Sequence, residues 1–266
     1  RQVVADIIAP QDKVPSIDIF LPICGEDRET LRNTWEHVAR LNYTNKKVYV
    51  LDDSKSNCAE HKALAEHYGF NYFERPNKGE MKKAGNLKHA YERTDGDFIA
   101  IFDADFAPHT DFLRELLPYT ADETIGIVQS PQYFDTTKNA YKKSPLAYAG
   151  AYHEELFYRV IQVARDQLGG AICCGSNALY RRAALKTIGG PRQVDASEDS
   201  RTGFALASKG WKVLYIPIIL ALGVCPDNIY AYFHQQHRWC RGRSMLVLLK
   251  EFITSRAPFM IKLCNV

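Results

Sequence analysis

The chain has 266 residues, of which 46% are hydrophobic and 24% charged, enough apolar material for one large α/β domain. A formal net charge of +3 falls far short of the basic excess of a dedicated nucleic-acid binder, which removes nucleic acid from the partners considered. Seven scattered cysteines with no C-x-x-C pair exclude a disulfide framework and a cysteine zinc site, and fit reduced thiols in a cytosolic compartment.

In chain order, the first half alternates short apolar runs with amphipathic ones. Ile17–Leu21, Val48–Leu51, Phe70–Phe73, Phe98–Phe102 and Ile125–Val128 read as strands. Leu31–Leu41, Ala59–Tyr68, Lys82–Arg93 and Asp111–Leu117 read as helices between them. That rhythm predicts a mostly parallel central sheet flanked by helices, which places ligands at the carboxyl ends of its strands. The second half predicts a long helical stretch from about Ala140 to Leu168, then short strands at Ala171–Cys174 and Ala178–Tyr180 around Gly175-Ser176-Asn177. Helices at Asp199–Lys209 and Tyr230–Arg241 follow, with a strand at Lys212–Ile216 between them. The longest apolar run, Val213–Val224, is too short to span a bilayer and contains Pro217. A first residue of Arg1 and no signal peptide lead us to expect an excised, soluble piece of a longer protein.

Four stations along this frame can carry chemistry. Asp52-Asp53-Ser54 follows the strand Val48–Leu51, where a carboxylate can accept from a nucleotide's base or ribose; the same residues also suit an Asx turn. Asp103-Ala104-Asp105 follows Phe98–Phe102, and two carboxylates at i and i+2 past a strand end can share a hard cation with a diphosphate. Asp95-Gly96-Asp97 has the same spelling but precedes its strand, so it falls at the opposite edge. Between the two aspartate stations lies Lys82-Lys83-Ala84-Gly85-Asn86-Leu87, a lysine beside a glycine turn suited to approach a pyrophosphate or to open a solvated helix. Ser197-Glu198-Asp199 reads as a helix N-terminus, and one of its carboxylates could also take the proton of an attacking hydroxyl. Gln235, Arg238 and Trp239 stand at i, i+3 and i+4, so they share one helical face. Arginine there can bind phosphate and tryptophan can stack on a sugar, although an arginine packed on a tryptophan is also a common surface pair.

Taken in order, an Asp pair, Lys-Ala-Gly-Asn-Leu, Asp-x-Asp, Cys-Gly-Ser-Asn, Ser-Glu-Asp and Gln-x-x-Arg-Trp make a chain that resembles the family 2 glycosyltransferases of the cellulose synthase type over nearly its whole length. The resemblance implies a GT-A fold and inverting, processive transfer from a UDP-sugar, UDP-glucose above all, to the non-reducing end of a β-glucan. Residue by residue it implies Asp52 or Asp53 on the uridine, Lys83 on the pyrophosphate, and Asp103 with Asp105 on Mg²⁺ or Mn²⁺. Asp199 becomes the base, with Glu198 beside it. Gln235 and Arg238 go to the pyrophosphate, Trp239 to the floor of the acceptor site, and Gly175, Ser176 and Asn177 to the terminal acceptor sugar. A single domain over 1–266 then divides into a nucleotide-sugar half at about 15–130 and an acceptor half at about 131–245. The stretch at about 242–266 is then expected to be an amphipathic segment lying at a membrane surface, the alternative being helices packed on their own domain. Relatives of this type are integral membrane proteins, so transmembrane helices of the same full-length protein, a glucan acceptor chain and the cytosolic face of the plasma membrane are the expected partners and place.

Three departures bear on these expectations. Ser197 stands where threonine is usual, Pro22–Glu26 lacks the aromatic that many relatives carry near uracil, and Cys173 stands where an aromatic is common. Competing readings are a non-processive family 2 transferase acting on a lipid or protein, and a regulatory subunit that kept the fold without catalysis. Gln-x-x-Arg-Trp tells against the first and the retained acids against the second. A haloacid-dehalogenase-type phosphatase also places Asp-x-Asp after a strand, but follows it with threonine or valine rather than Phe106.

Overall fold

The structure is a computed structural model, and it describes residues 14–136 and 142–265. Its main sheet has seven strands: β1 (Ile17–Ile23), β2 (Lys46–Asp52), β3 (Asn71–Glu74), β4 (Phe98–Ile101), β6 (Ile125–Gln129), β8 (Ala178–Arg181) and β9 (Lys212–Tyr215), in the order β3-β2-β1-β4-β8-β6-β9. Period-2 patterning explains why it is covered on both faces. Ile17, Ile19, Leu21, Val48, Val50, Phe98 and Ala100 point into one core with Leu31, Trp35 and Val38 of α1 (Arg28–Ala39). Phe20, Leu51, Ile99 and Ile101 point into a second core with Leu87 and Ala90 of α3 (Lys82–Tyr91). Between α1 and α3 runs α2 (Cys58–His67). Each core draws residues from both halves of the chain, as with Leu220 in the first and Tyr215 in the second.

All strands share one direction except β8, which is antiparallel to both β4 and β6. The reversal has a consequence for the site: the amino end of β8, not its carboxyl end, comes to the edge where β1, β2, β4 and β6 finish. Gly175-Ser176-Asn177 therefore arrives beside Asp103.

The second half departs from the expected elements in three places. The long helix is two helices, α5 (Pro145–Leu156) and α6 (Gln162–Gln167), joined by a π-turn at Phe157–Ile161. Ser144 caps α5 by accepting from Ala147 N at 3.1 Å, and Ala140, the expected start, lies outside the described residues. At the π-turn the Tyr158 carbonyl accepts from Tyr215 Oη (2.8 Å) while the Tyr158 hydroxyl reaches inward to Gln132 Oε1 (2.9 Å). Ala171–Cys174 is not a strand. Glutamines take the place of a ladder partner: Gln162 brackets Ile172 through both its amide atoms, Gln129 Oε1 accepts from Cys174 N (2.8 Å), and Gln132 donates to Cys174 O (2.9 Å). The third departure is a small sheet of β5 (Phe106–Pro108), β10 (Ala221–Gly223) and β7 (Tyr133–Phe134), which grips the chain immediately after Asp105.

The remaining helices are α4 (Phe112–Leu116), α7 (Arg182–Lys186), α8 (Glu198–Ala207), α9 (Ile229–Val247), α10 (Lys250–Thr254) and α11 (Phe259–Cys264). The C-terminal segment divides its apolar residues. Leu246, Phe252 and Ala257 pack with Phe204 of α8, while Leu248 and Phe259 are each 75% exposed. Among the described residues no helix is long and apolar enough to cross a membrane.

The Asp95-Gly96-Asp97 triplet is a structural turn at the far edge of the sheet. Asp18 Oδ2 accepts from Gly96 N at 2.7 Å and from Arg182 Nη2 at 2.8 Å, and a Cβ at Gly96 would lie 2.7 Å from that carboxylate. Both charges are almost fully buried. Arg182→Met is accordingly expected to cost about 3–5 kcal/mol by stranding Asp18, measured as urea unfolding, with Asp18→Leu in the same chain recovering part of it. A loss below about 1 kcal/mol would mean the pair is only a surface-grade interaction.

Candidate active site

The stations converge on the carboxyl edge of the sheet, because β2 and β4 flank β1 in parallel register, with Ile23 opposite Asp52 and Phe20 opposite Ile101. Asp52, the last residue of β2, has no exposed surface. Its Oδ1 accepts from Ser54 N (2.7 Å), and its Oδ2 from the Tyr72 hydroxyl (2.6 Å) and His61 Nδ1 (3.0 Å). Burial works to raise this carboxyl, but those hydrogen bonds outweigh it and hold Asp52 below the ordinary range. Asp53 is 5% exposed and is clamped by Arg75, whose Nε and Nη2 reach its two oxygens at 2.7 and 2.6 Å, with Gly79 N at 3.0 Å. Both carboxylates are held by several protein donors, which fixes the loop that follows the strand.

Arg75 went unread in the sequence, and its presence reinterprets Gly85. Gly85 lies inside α3 rather than in a turn, and a side chain there would strike Glu80 O and the Arg75 guanidinium. The glycine is the passage through which Arg75 reaches Asp53. Asn86 fastens the same helix to the strand edge by donating to Leu51 O at 2.7 Å. A lone arginine one residue past the end of a strand, beside a neighbour that ends in aspartate, was the signal available for this clamp.

Helix α3 aims Lys83 at the second station, where its ammonium contacts Asp103 Oδ1. Burial pulls the lysine's proton affinity down, and Asp103, Glu198 and Asp199 together raise it well above the ordinary value. The Asp103 loop is pinned by Asp103 N donating to Ser176 Oγ (2.9 Å) and by Thr34 Oγ1 donating to Ala104 O (2.7 Å). Asp105 is pushed up to about 6, first by burial and then by repulsion from Asp103. Two carboxylates that resist being charged together suit a divalent cation. Among the described residues no third histidine, cysteine or acid joins them, which matches an ion such as Mg²⁺ or Mn²⁺ that fills its shell with phosphate oxygens and water.

The third station opens α8. Ser197 does not cap the helix; it sits at φ 54°, in the left-handed region, with no side-chain hydrogen bond to the first turn. Glu198 is raised to about 7 by burial and by Asp199, against the pull of Lys83. Asp199 packs on Gly175, where φ is +83° and a Cβ would come within 2.8 Å of its carboxylate, so only glycine admits this approach. Ser176 and Asn177, expected at the acceptor sugar, are fully buried. They brace the aspartate loop: Asn177 N donates to Ile101 O (2.9 Å) and its side chain to Pro131 O (3.2 Å). Cys173 is also inside, 3.0 Å from the Tyr180 hydroxyl, and burial pushes its thiol far up.

A raised Glu198 gives a signed prediction. Its charge is unfavourable in the fold, so its contribution to stability is fully present below the unfolded value of 4.5 and is lost as pH rises to about 7. Glu198→Gln is expected to stabilise the metal-free protein by about 2 kcal/mol at pH 8 and to change little at pH 4. Equal differences in urea midpoint at the two pH values would contradict the shift.

The fourth station rides on α9. Gln235, Arg238 and Trp239 share a face with Gly242 one turn on, and any side chain at Gly242 would collide with Ser197 Oγ. That contact turns this face toward the loop bearing Glu198 and Asp199. Arg238 is exposed and Trp239 half-buried, while Gln235 Oε1 is buried with no donor in reach among the described residues. Gln236, its neighbour, anchors the helix by donating to the buried Glu154 at 2.7 Å; Glu154, too, was not foreseen.

Comparison with known proteins bears on the family and the fold. Residues 18–189 match Glycosyl transferase family 2. "Cellulose synthase 1" of Komagataeibacter xylinus is 33% identical over 234 residues, covering 87% of this chain and 15% of that protein. The "Cellulose synthase catalytic subunit (UDP-forming)" of Xanthomonas axonopodis pv. citri is 29% identical over 252 residues, covering 93% of this chain and 34% of that one. The chain thus spans 15% and 34% of the length of these relatives. Among solved structures, the mannosyltransferase PcManGT from Pyrobaculum calidifontis in complex with GDP-Man and Mn²⁺ superposes with a TM-score of 0.69 at 19% identity, over 99% of this chain and 74% of that one. Crystalline TarS 1-349 from S. aureus in complex with UDP gives 0.58 at 10% identity, over 93% of this chain and 68% of the other. With a GT-A-like mixed sheet, acidic stations at its carboxyl edge, and a family match across most of its length, the chain belongs to glycosyl transferase family 2.

Proposed function

We propose that this domain transfers glucose from UDP-glucose, with inversion, to the non-reducing end of a growing β-glucan, and does so processively as part of a membrane-embedded protein. The observation that carries the reading is the meeting of Lys83, Asp103, Glu198 and Asp199 at one strand edge, the charges of the last three all acting on the lysine. Similarity to cellulose synthases supports the choice of donor and acceptor, and the Mn²⁺ and UDP named for structural neighbours support the ion and nucleotide.

Asp103 and Asp105 would hold Mg²⁺ or Mn²⁺, which when bound neutralises charge building on the departing diphosphate. Lys83 adds a fixed positive charge beside it. Asp53 and Asp52, locked by Arg75 and by Tyr72 with His61, keep the loop under the uridine rigid. Asp199 takes the proton of the attacking acceptor hydroxyl, and Glu198, raised to about 7, keeps negative charge from crowding it at lower pH. Gln235 and Arg238 would reach the diphosphate, and Trp239 would carry the acceptor ring in front of Gly175. The Ser176-Asn177 pair contributes by bracing Asp103.

The reading is tested by giving the full-length membrane protein radiolabelled UDP-sugars one at a time and digesting the product with linkage-specific glucanases. Glucose incorporated into a long, glucanase-sensitive polymer is the expected result. A single sugar added to a lipid or protein would replace the processive reading with the non-processive one.

A further inference from the structure

A cavity of about 320 Å³ lies behind the catalytic loop, walled by residues 188–194, by Arg201 and Phe204 of α8, by Lys88 of α3, and by the C-terminal segment at Leu246 and Phe252. None of Lys83, Asp103, Asp105, Glu198 or Asp199 lines it, so it is separate from the site described above. Its size falls within the range of small-molecule sites. The lining carries three cations, Lys88, Arg192 and Arg201, against one acid, Glu251.

Two of those cations are engaged by the protein: Arg192 pairs with Glu251, and Lys88 donates to Gly189 O at 2.6 Å. Arg201 is different. Its Nε is buried with no acceptor within reach among the described residues, an unsatisfied donor that destabilises the fold unless a ligand fills it. A planar guanidinium with free donors matches the paired oxygens of a phosphoryl group. Phe204 and Phe252, stacked at 4.8 Å, give the cavity an apolar floor.

The cavity wall is continuous with the catalytic loop. Arg192 N donates to Thr202 Oγ1 (3.0 Å), Gln193 donates to Ala84 O beside Lys83 (2.8 Å), and Arg201 follows Glu198 by one turn. We propose that this cavity binds a phosphoryl-bearing molecule other than the sugar donor, anchored by Arg201, and that its occupancy stiffens residues 191–199. The site stands whichever sugar the transferase uses. The phosphoryl group could come from a soluble metabolite or from a lipid headgroup, since Leu248 and Ile253 are exposed next to wall residues.

The test is calorimetry on the full chain in metal-free buffer, with inorganic pyrophosphate in one arm and phosphatidylglycerol vesicles, against phosphatidylcholine vesicles, in the other. Binding in either arm, weakened about tenfold or more by Arg201→Met and kept by Lys83→Met, is expected, and the arm that responds identifies the source. Arg201→Lys, which keeps the charge but not the planar fork, should fall between, and its melting temperature guards against a folding artefact. Hydrogen exchange across 191–199 should slow on binding. No binding in either arm, binding indifferent to Arg201, or binding lost only with Lys83→Met would overturn the site. Unchanged exchange on binding would overturn the stiffening.

Discussion

Replacing Asp199 by asparagine is expected to lower sugar transfer by about 10²–10⁴-fold while leaving UDP affinity within a factor of about two, because a general base acts only on the proton in flight. The substitution is nearly isosteric, so the close seat of the side chain against Gly175 and its acceptance from Ser200 N (2.7 Å) are retained. The measurement is initial rate of polymer formation by the full-length protein together with calorimetric UDP binding. Wild-type rates would move the base elsewhere, with Glu198 next in line by position. A parallel fall in UDP affinity would instead make Asp199 a donor-binding residue.

Asp103→Ala is expected to weaken UDP binding in the presence of Mn²⁺ by at least about a hundredfold, or about 2.8 kcal/mol, and to weaken the metal-free binding seen in chelator by much less. The loss has two physical sources. One of the two carboxylates suited to the cation is removed, and Lys83 loses its direct ion-pair partner, leaving its ammonium to the pull of Glu198 and Asp199. Removing Asp103 also removes the repulsion on Asp105, so a single remaining carboxylate ionises more easily but holds the ion alone. Unchanged UDP affinity with Mn²⁺ would refute the assignment of this pair. Asp103→Asn separates the two sources, since the amide can still accept from Lys83.

The two edges of the sheet show how far pattern reading reaches. Asp103-Ala104-Asp105 and Asp95-Gly96-Asp97 have the same spacing, and only their order relative to the strand Phe98–Ile101 distinguishes them. That order sufficed: the first faces Lys83, and Gly96 and Asp97 of the second are tied to Asp18 and Ser16 on the opposite edge. Pattern reading gave less for Ser176, Asn177 and Asp52. They lie within motifs, and the sequence makes no distinction between a residue that touches a ligand and one that holds its neighbour in place. The folded chain shows the second role directly: all three are buried and hydrogen-bonded to neighbouring segments.

What the sequence determined by itself was local and periodic: the strands through Ile125–Gln129, whose alternation demands two covered faces, and the order of acidic stations at their ends. What only the tertiary structure decided rests on partners far apart in the chain. The reversal of β8, the two- and three-residue strands of the small sheet, the Arg75–Asp53 clamp through Gly85 and the seating of Gly242 on Ser197 leave no periodic trace, because each is a single close contact between distant segments. A hydrophobic period accumulates over many residues and can be read in one dimension, whereas one pairing across tens of residues exists only once the chain has folded.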